Sequence, residues 1–217
     1  MLSDAEVQTA VRSGLMEIDP MSDKYLQPAS YDLRVGAEAY LSGTDSKIDV
    51  ANRGLVVIDP GEFAVVATLE RVHCGPQIAG QIGLCSPYAR QGLVLLSGPQ
   101  IDPGFDGVLI VRLTNLAPRR VTLASEAPFL TAQFFKLNQP VAHPYKGSRQ
   151  GQTGLGARDI EELSNPESPT LGGMVKSLAS LARDVGELKT SVKWMAWALG
   201  IGVPVALVVV GVVAALR

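Results

Sequence analysis

The chain has 217 residues, of which 47% are hydrophobic and 18% charged, and its formal net charge is −2. This length and composition allow one domain of ordinary size plus an appendage. The balanced charge and the lack of a polybasic block argue against nucleic acid as a partner. Cys74 and Cys85 form no CxxC motif, and the two histidines lie far apart in the sequence. We therefore expect free thiols in a reducing compartment, with no zinc or other protein-held metal.

The first predicted elements are a short helix and a strand. Residues 2–15 carry an apolar stripe, and Ser3 with Glu6 forms a capping-box pattern at its start. Because MLSDAEVQTA is acidic and polar, we expect no signal peptide. Further on, YDLRVG alternates, which predicts a strand with Asp32 and Arg34 on one face and apolar residues on the other.

Short apolar runs then recur, with Gly, Pro and Asn between them. The sequence GLVVIDPGEFAVVATLERV predicts two strands around an Asp-Pro-Gly turn. Further strands are expected at IAGQIGL, LVLLS, VLIVRLTN, RRVTLA and FLTAQFFKL. Many short strands with turn signals and almost no helix predict an all-β barrel or sandwich.

Residues 82–115 contain two turn-forming stretches, CSPYARQGL and QIDPGFDG. The first places the Ser86 hydroxyl four residues before the Arg90 guanidinium, and this pair suits phosphate oxygens. The second places Asp102 in a Pro-Gly turn followed by Phe105. A carboxylate at a strand end can orient water or a sugar hydroxyl. Asp-Pro-Gly is also an ordinary turn sequence, so a purely structural role stays open.

The composition changes after Pro144, where YKGSRQGQTGLGARDI is rich in Gly, Gln and basic residues. Two interpretations are open for this stretch. It is either a disordered linker or a mobile lid whose Lys146, Arg149 and Arg158 close over an anion. Residues 161–173, which include SNPESPTLGG, are predicted to be a linker.

Residues 174–193 are predicted to form a coiled-coil stalk. Apolar residues from Leu171 to Met195 follow the 3-4-3-4 spacing of a and d positions, and their flanks are polar. We therefore expect this helix to self-associate.

Residues 194–216 contain no charged residue and are predicted to form a transmembrane helix. At 1.5 Å per residue they would span roughly 34 Å, enough for a bilayer core of about 30 Å. Arg183, Lys189 and Lys193 precede this stretch and only Arg217 follows it. The positive-inside rule then predicts a single-pass, tail-anchored protein of the inner or plasma membrane with a cytoplasmic N-terminal domain.

Residues 1 to about 160 resemble the dCTP deaminase branch of the dCTP deaminase/dUTPase family. Five motifs carry the resemblance, in the family's order and at suitable spacing: LQPASYDLRVG, PGEFAVVATLERV, CSPYARQGL, IDPGFDG and RQGQTGLGARD. The resemblance implies a distorted, dUTPase-like β-barrel that assembles as a homotrimer with active sites between subunits. It also implies a (deoxy)nucleoside triphosphate as the ligand, with Mg²⁺ bound through the phosphates.

The resemblance assigns roles to individual residues. Ser86 and Arg90 match residues that serve the phosphates and the deamination site. Asp102 matches an aspartate that lies against the deoxyribose and, in dUTPases, activates water. Phe105 matches an aromatic near the sugar and base, and the glutamines of RQGQTG match a segment that closes over the triphosphate. The expected nucleotide-binding residues are Ser86, Arg90, Gln100, Asp102, Phe105, Arg112, Arg149, Gln150 and Gln152.

The chain departs from the family's deaminases at the residue that activates water. Where they carry a glutamate, counting from Ile101 gives Arg112, and arginine keeps its proton at any working pH. No acidic residue lies at positions 109–115, so a shift in register does not restore the base. Arg112 either points outward from its strand or favours a ligand with an acceptor or negative charge. Cys85 and Pro87 replace an arginine and a serine of the family's motif.

Several functions are compatible with these residues. We expect first a deamination-deficient nucleotide sensor and membrane effector, an architecture that would suit antiviral defence in bacteria. The second hypothesis is a membrane-tethered, dUTPase-like diphosphatase in which Asp102 positions water. An active dCTP deaminase and a purely structural membrane scaffold are the others, so whether the protein is an enzyme stays open.

Overall fold

The computed structural model describes residues 1–44, 46–161 and 171–197. The chain divides into two units, one ending at Gly173 and the other beginning at Met174. The first unit is mainly β, as the sequence predicts. Residues 162–170, which make up most of the predicted linker, lie outside the described part.

The described part of the first unit alternates short helices with antiparallel strands. In chain order its elements are α1 (Asp4–Arg12), β1 (Met16–Asp19), β2 (Leu26–Gln27), β3 (Ser30–Leu41), β4 (Ile48–Asp49), α2 (Val50–Arg53), β5 (Leu55–Ile58), β6 (Phe63–Cys74), β7 (Ile78–Leu84), α3 (Ser86–Gln91), β8 (Leu93–Leu95), β9 (Gln100–Ile101), β10 (Asp106–Asn115), β11 (Val121–Ala124), β12 (Pro128–Lys136) and α4 (Ala157–Glu161). A last helix, α5 (Leu171–Trp197), follows the gap after α4.

Helix α1 begins where the capping-box pattern predicts. The Glu6 N–H donates to Ser3 Oγ at 3.4 Å, and the Ser3 N–H donates to Glu6 Oε2 at 2.8 Å. These bonds satisfy two amide groups that have no partner within the helix. Val7 and Ala10 then turn into the hydrophobic core and fix the helix on the sheet.

Within the described residues, ten strands form one sheet whose main path runs β8-β10-β6-β3-β12-β7-β9. The short strand β1 pairs with β6, and β2 and β4 pair with β3. Strands β5 and β11 form a separate two-stranded sheet, so the strands on either side of the Asp-Pro-Gly turn enter different sheets. Register shifts in β3, β10 and β12 bend these strands and let the sheet curl.

The curled sheet encloses a main hydrophobic core in which Tyr31, Phe129 and Phe134 are fully buried. A smaller apolar cluster forms on Tyr40 of β3 and receives Leu155 from the chain beyond β12. Burial of Leu155 therefore holds the chain between β12 and α4 against the sheet.

A buried ion pair joins β3 to β6. Arg34 Nε donates to Glu70 Oε1 at 2.5 Å, and Arg34 Nη2 donates to the Pro20 carbonyl at 2.9 Å. The Glu70 side chain is fully buried. The predicted alternation grouped Arg34 with the half-buried Asp32 on one strand face, but Arg34 is itself buried. Its charge is tolerated there because a carboxylate compensates it.

The segment RQGQTGLG packs back against the start of β10. The Gly151 N–H donates to the Asp106 carbonyl at 2.7 Å, and the Val108 N–H donates to the Gln152 carbonyl at 3.0 Å. Together with the burial of Leu155, these bonds show that the segment is not a disordered linker. Closure over a ligand stays a prediction.

Helix α5 extends through the predicted coiled-coil stalk. The apolar residues of its described side chains are exposed, with fractions of 56–64% at Leu181, Val185, Leu188, Val192 and Met195. The helix is thus as expected, and its association with another copy stays a prediction.

The predicted membrane location is wrong. Across residues 1–44, 46–161 and 171–197, no helix is long and apolar enough to cross a membrane. Residues 194–197 of the predicted span form the end of α5, and residues 198–216 lie outside the described part. We therefore withdraw the anchored location with a cytoplasmic N-terminal domain, and with it the membrane as a partner.

Candidate active site

A cavity of about 380 Å³ opens where β9, β10 and the chain beyond β12 meet. Two distant parts of the sequence thus contribute to one site. Of the expected nucleotide-binding residues, those that line it are Gln100, Asp102, Phe105, Arg112, Arg149 and Gln152.

The turn between β9 and β10 carries Asp102, one of the two acidic residues that line the cavity. The Phe105 N–H donates to the Asp102 carbonyl at 3.0 Å and closes the turn. Gly104 has a φ of 91°, in the left-handed region that favours glycine, and a Cβ there would lie 2.6 Å from Pro144 Cβ. Asp102 is exposed at the cavity, and its carboxylate has no hydrogen-bond or ion-pair partner among the described residues.

Two aromatic rings form the apolar wall of the cavity. Phe105 is buried, and its ring meets that of Tyr145 edge-on, with centroids 5.8 Å apart. Ile82 and Leu109 add aliphatic surface. A wall of this kind suits a base or the carbon side of a sugar.

Arg112 reaches the cavity from β10. It lies opposite Val65 of β6, and its backbone N–H donates to Ser97 Oγ at 2.7 Å. The residue lines the cavity and is half-buried, which favours a role in the site over an outward-pointing side chain. The site thus holds a group with five donors and no acceptor, together with the Asp102 carboxylate.

A second guanidinium, that of Arg149, is paired with an acid from α4. Arg149 Nη1 lies 2.7 Å from Asp159 Oδ1, and the Asp159 side chain is only 6% exposed. Asp159 Oδ2 also accepts a hydrogen bond from the Gly156 N–H at 2.9 Å. Asp159 is thus a site residue that the sequence did not predict, although it ends the RQGQTGLGARD motif.

The two glutamines of this motif have different places. Gln152 lines the cavity, and its Nε2 donates to the Val108 carbonyl at 2.6 Å. Gln150 lies outside the lining, where its Nε2 donates to the Gly104 carbonyl at 3.0 Å and its Oε1 accepts from the Asp106 N–H at 3.3 Å. Gln150 therefore holds the turn in place, whereas Gln152 belongs to the wall.

A smaller cavity of about 300 Å³ shares Arg149, Gln152 and Asp159 with the first. Ser148 and Arg158 complete its polar lining. Arginines and a hydroxyl are groups that bind phosphate oxygens. An aromatic-walled space and an arginine-lined space thus adjoin each other.

The structure places the other two expected residues, Ser86 and Arg90, away from the cavity. The stretch CSPYARQGL forms helix α3 rather than a turn, with Pro87 in its first turn and Gly92, at φ 99°, after its end. Ser86 and Arg90 are exposed on this helix, and neither lines the cavity. One copy of the chain therefore does not bring all the expected residues together.

Cys85, just before α3, lies beside Asp32 of β3. Its Sγ is 3.9 Å from Asp32 Oδ1, and Gln27 Nε2 donates to Asp32 Oδ2 at 3.0 Å. Burial raises the pKa of Asp32, and burial together with the nearby Asp32 raises the pKa of Cys85 to about 12. A neutral thiol thus stands where the resemblance leads us to expect a guanidinium.

Both cysteines, Cys74 and Cys85, are free, as the sequence predicts. Within the described ranges, no group of three or more His, Cys, Asp or Glu side chains is arranged to hold a metal ion.

Comparisons with known proteins agree with these motifs. Residues 1–134 match the family described as dCTP deaminase-like. The chain is 43% identical over 134 residues to a dCTP deaminase of Pyrococcus abyssi, across 62% of this chain and 85% of that protein. It is 32% identical over 174 residues to a "dCTP deaminase, dUMP-forming" of Mycolicibacterium vanbaalenii, across 73% of this chain and 92% of that protein.

The fold is also similar to that of 2'-deoxycytidine 5'-triphosphate deaminase from Agrobacterium tumefaciens. The TM-score is 0.51 at 16% identity, and the likeness covers 61% of this chain and 47% of that chain. At this identity the likeness concerns the fold alone. Because the family match extends over more than half of the sequence, the chain belongs to the dCTP deaminase-like family.

Proposed function

We propose that this chain binds a nucleoside triphosphate without deaminating it and acts as a nucleotide sensor. The observation that carries the proposal is Arg112 in the cavity, at the position where the family's deaminases lead us to expect a glutamate. A guanidinium has donors only and cannot take a proton from water. Loss of a general base costs roughly two to four orders of magnitude in rate.

The first cavity has groups suited to the nucleoside. The Asp102 carboxylate can accept a hydrogen bond from a sugar hydroxyl, and the rings of Phe105 and Tyr145 offer an apolar surface to the base. Arg112 can donate to an acceptor on the base or to a phosphate. These three contacts need no proton transfer, so they support binding rather than turnover.

The smaller cavity has groups suited to the phosphates. Arg149 and Arg158 supply positive charge there, and Mg²⁺ would be held by the phosphate oxygens. The resemblance implies a homotrimer with sites between subunits. We therefore propose that α3 of a neighbouring copy supplies Ser86 and Arg90, which would explain their exposure on a single chain.

A second candidate function is diphosphatase activity of the dUTPase kind. The observation that favours it is the exposed Asp102 carboxylate, which has no hydrogen-bond or ion-pair partner within the described ranges. Such a carboxylate could position a water molecule against the phosphates. This activity would need no base at the position of Arg112.

The test uses the full chain incubated with dCTP, dUTP, dTTP and dITP in the presence of Mg²⁺. Calorimetry measures binding, and chromatography of the same samples measures products. We expect binding of at least one nucleotide with no deaminated base and no monophosphate. A deaminated product would overturn the proposal. A monophosphate that disappears in Asp102→Asn would establish the second candidate instead.

A variant tests the role of Arg112 directly. Arg112→Gln removes one positive charge from the cavity, and we expect nucleotide binding to weaken roughly 10- to 100-fold, as for loss of a hydrogen bond to a charged group. Arg119→Gln, at an exposed position outside the cavity, is the matched control and should leave binding unchanged. Equal affinity of the two variants would contradict a contact between Arg112 and the nucleotide.

A further inference from the structure

We propose that helix α5 binds the same helix of a second copy of this chain, in parallel and in register. The starting observation is the exposed apolar stripe formed by Leu181, Val185, Leu188 and Val192. Their alternating spacing of four and three residues is that of the narrow seam of a coiled coil. A helix that packs on a globular domain shows a broader apolar face.

The spacing fixes the position of each residue in the heptad. Val185 and Val192 take a positions, and Leu181 and Leu188 take d positions. Valine at a with leucine at d is a combination found in parallel coiled coils. The same assignment places charged residues beside the seam, and these decide which partner fits.

The flanking charges are complementary within one sequence. Asp184 takes the g position before Val185, and Lys189 takes the e position after Leu188, and both are exposed. In a parallel pair of helices, a g residue faces the e residue of the next heptad on the partner. Asp184 of one copy would therefore meet Lys189 of the other, and interhelical pairs at these positions set partner and orientation.

An antiparallel arrangement lacks this attraction. There g residues face g residues and e residues face e residues, so Asp184 and Lys189 do not meet in any register. A second copy in parallel would therefore bury the apolar stripe and also pair the opposite charges beside it. This inference concerns α5 by itself and does not rest on the nucleotide proposal.

Disulfide trapping on the full chain tests the proposal. Leu181→Cys and Met195→Cys each place a thiol at a d position, where identical residues of two parallel, in-register helices face each other. We expect intermolecular disulfides in both variants under mild oxidation. Thr190→Cys, at the outward f position, is the matched control, and the wild-type chain reports any background from Cys74 and Cys85.

The pattern of crosslinks decides the outcome. Crosslinking at both d positions and not at position 190 supports the parallel arrangement. A crosslink at only one d position would indicate antiparallel or shifted helices and would overturn the proposal. Absence at both positions, or equal crosslinking at 190, would overturn it as well.

A charge exchange provides a second, independent readout. Asp184→Lys places two lysines opposite each other across the parallel seam, so we expect crosslinking of the Leu181→Cys chain to require a roughly two- to fivefold higher concentration. Adding Lys189→Asp restores the attraction and should return the wild-type concentration dependence. If Asp184→Lys has no effect at low salt, the assigned pairing is wrong.

Discussion

Arg149 Nη1 and Asp159 Oδ1 lie 2.7 Å apart, and both residues line the two adjoining cavities. The acid thus occupies the position beside Arg149 that an anionic group of a ligand would take. A phosphate that binds Arg149 must compete with this carboxylate. The pair therefore sets how much of the arginine's charge is available to a nucleotide.

The first prediction concerns this competition. Asp159→Asn removes the negative charge but keeps an acceptor for the Gly156 N–H. Since Arg149 is 38% exposed and its ion pair is partly screened, we expect triphosphate affinity to rise only about fivefold. Calorimetric titration measures the change. Glu161→Gln, at an exposed site on the same helix, is the control, and unchanged or weaker binding by Asp159→Asn would contradict the competition.

The second prediction concerns sites shared between copies. Arg90→Ala should abolish triphosphate binding although Arg90 lies outside the cavity of its own chain. Alone, Arg90→Ala chains should not bind the triphosphate and Arg112→Gln chains should bind it weakly. When the two are expressed together, we expect binding to return, because some mixed sites then contain both arginines. Titration of the purified mixture checks this outcome. No regain in verified mixed assemblies would contradict a site shared between copies.

The third prediction concerns the buried ion pair. Glu70→Gln leaves the Arg34 guanidinium buried without its compensating charge, so we expect the free energy of unfolding to fall by about 3–5 kcal/mol. Urea denaturation measures the loss. Glu17→Gln, at an exposed site on β1, should change stability by no more than about 0.5 kcal/mol. Similar small effects in both variants would show that the pair contributes little.

The fourth prediction concerns the turn between β9 and β10, which carries Asp102. Gly104→Ala adds a Cβ at a φ of 91° and 2.6 Å from Pro144 Cβ. We expect the free energy of unfolding to fall by about 1–3 kcal/mol and nucleotide binding to weaken, because the turn that positions Asp102 must shift. Gly98→Ala is the control for stability, since its Cβ would meet no atom within 4 Å. Equal stability of the two variants would contradict the strain.

The fifth prediction concerns pH. Burial raises the pKa of Asp32 above its ordinary value of 3.8, so between these values the folded state binds more protons than the unfolded state. The contribution of Asp32 to the free energy of unfolding therefore falls as pH rises through this window. Asp32→Asn lacks this titration. Its free energy of unfolding, measured against wild type, should rise from about pH 4 upward and then level off.

Urea denaturation between about pH 3 and pH 7 provides the profile for this comparison. Glu17→Gln again serves as the exposed control, and its difference from wild type should show no such rise. A flat difference for Asp32→Asn would mean that the Asp32 carboxyl is as well solvated in the folded state as in the unfolded chain.

Features that depend on neighbouring residues were predictable from the sequence. The capping box of Ser3 and Glu6 needs only a helical turn, and it forms as expected. The stretch from Gln100 to Arg112 is one strand–turn–strand unit, so its side chains reach one cavity through local geometry. Apolar alternation likewise identified the main strands.

Features that depend on distant partners were not predictable in this way. Arg34 is buried because Glu70, on another strand, compensates its charge, and strand alternation carries no information about that partner. Asp159 joins the site because the chain beyond β12 folds back onto β10. The sequence of α3 predicts a turn because Pro87, in the first turn of the helix, and Gly92, just after its end, are also turn formers.

The hydrogen bonds of the RQGQTG segment have a consequence for amide exchange. Two hydrogen bonds join this segment to the start of β10. The Val108 N–H donates to the Gln152 carbonyl, and the Gly151 N–H donates to the Asp106 carbonyl. Lifting this segment from β10 breaks both bonds in one event. The two amides should therefore lose protection from hydrogen exchange at the same rate, as one cooperative unit. Their common opening free energy would be the work required to uncover this side of the cavity.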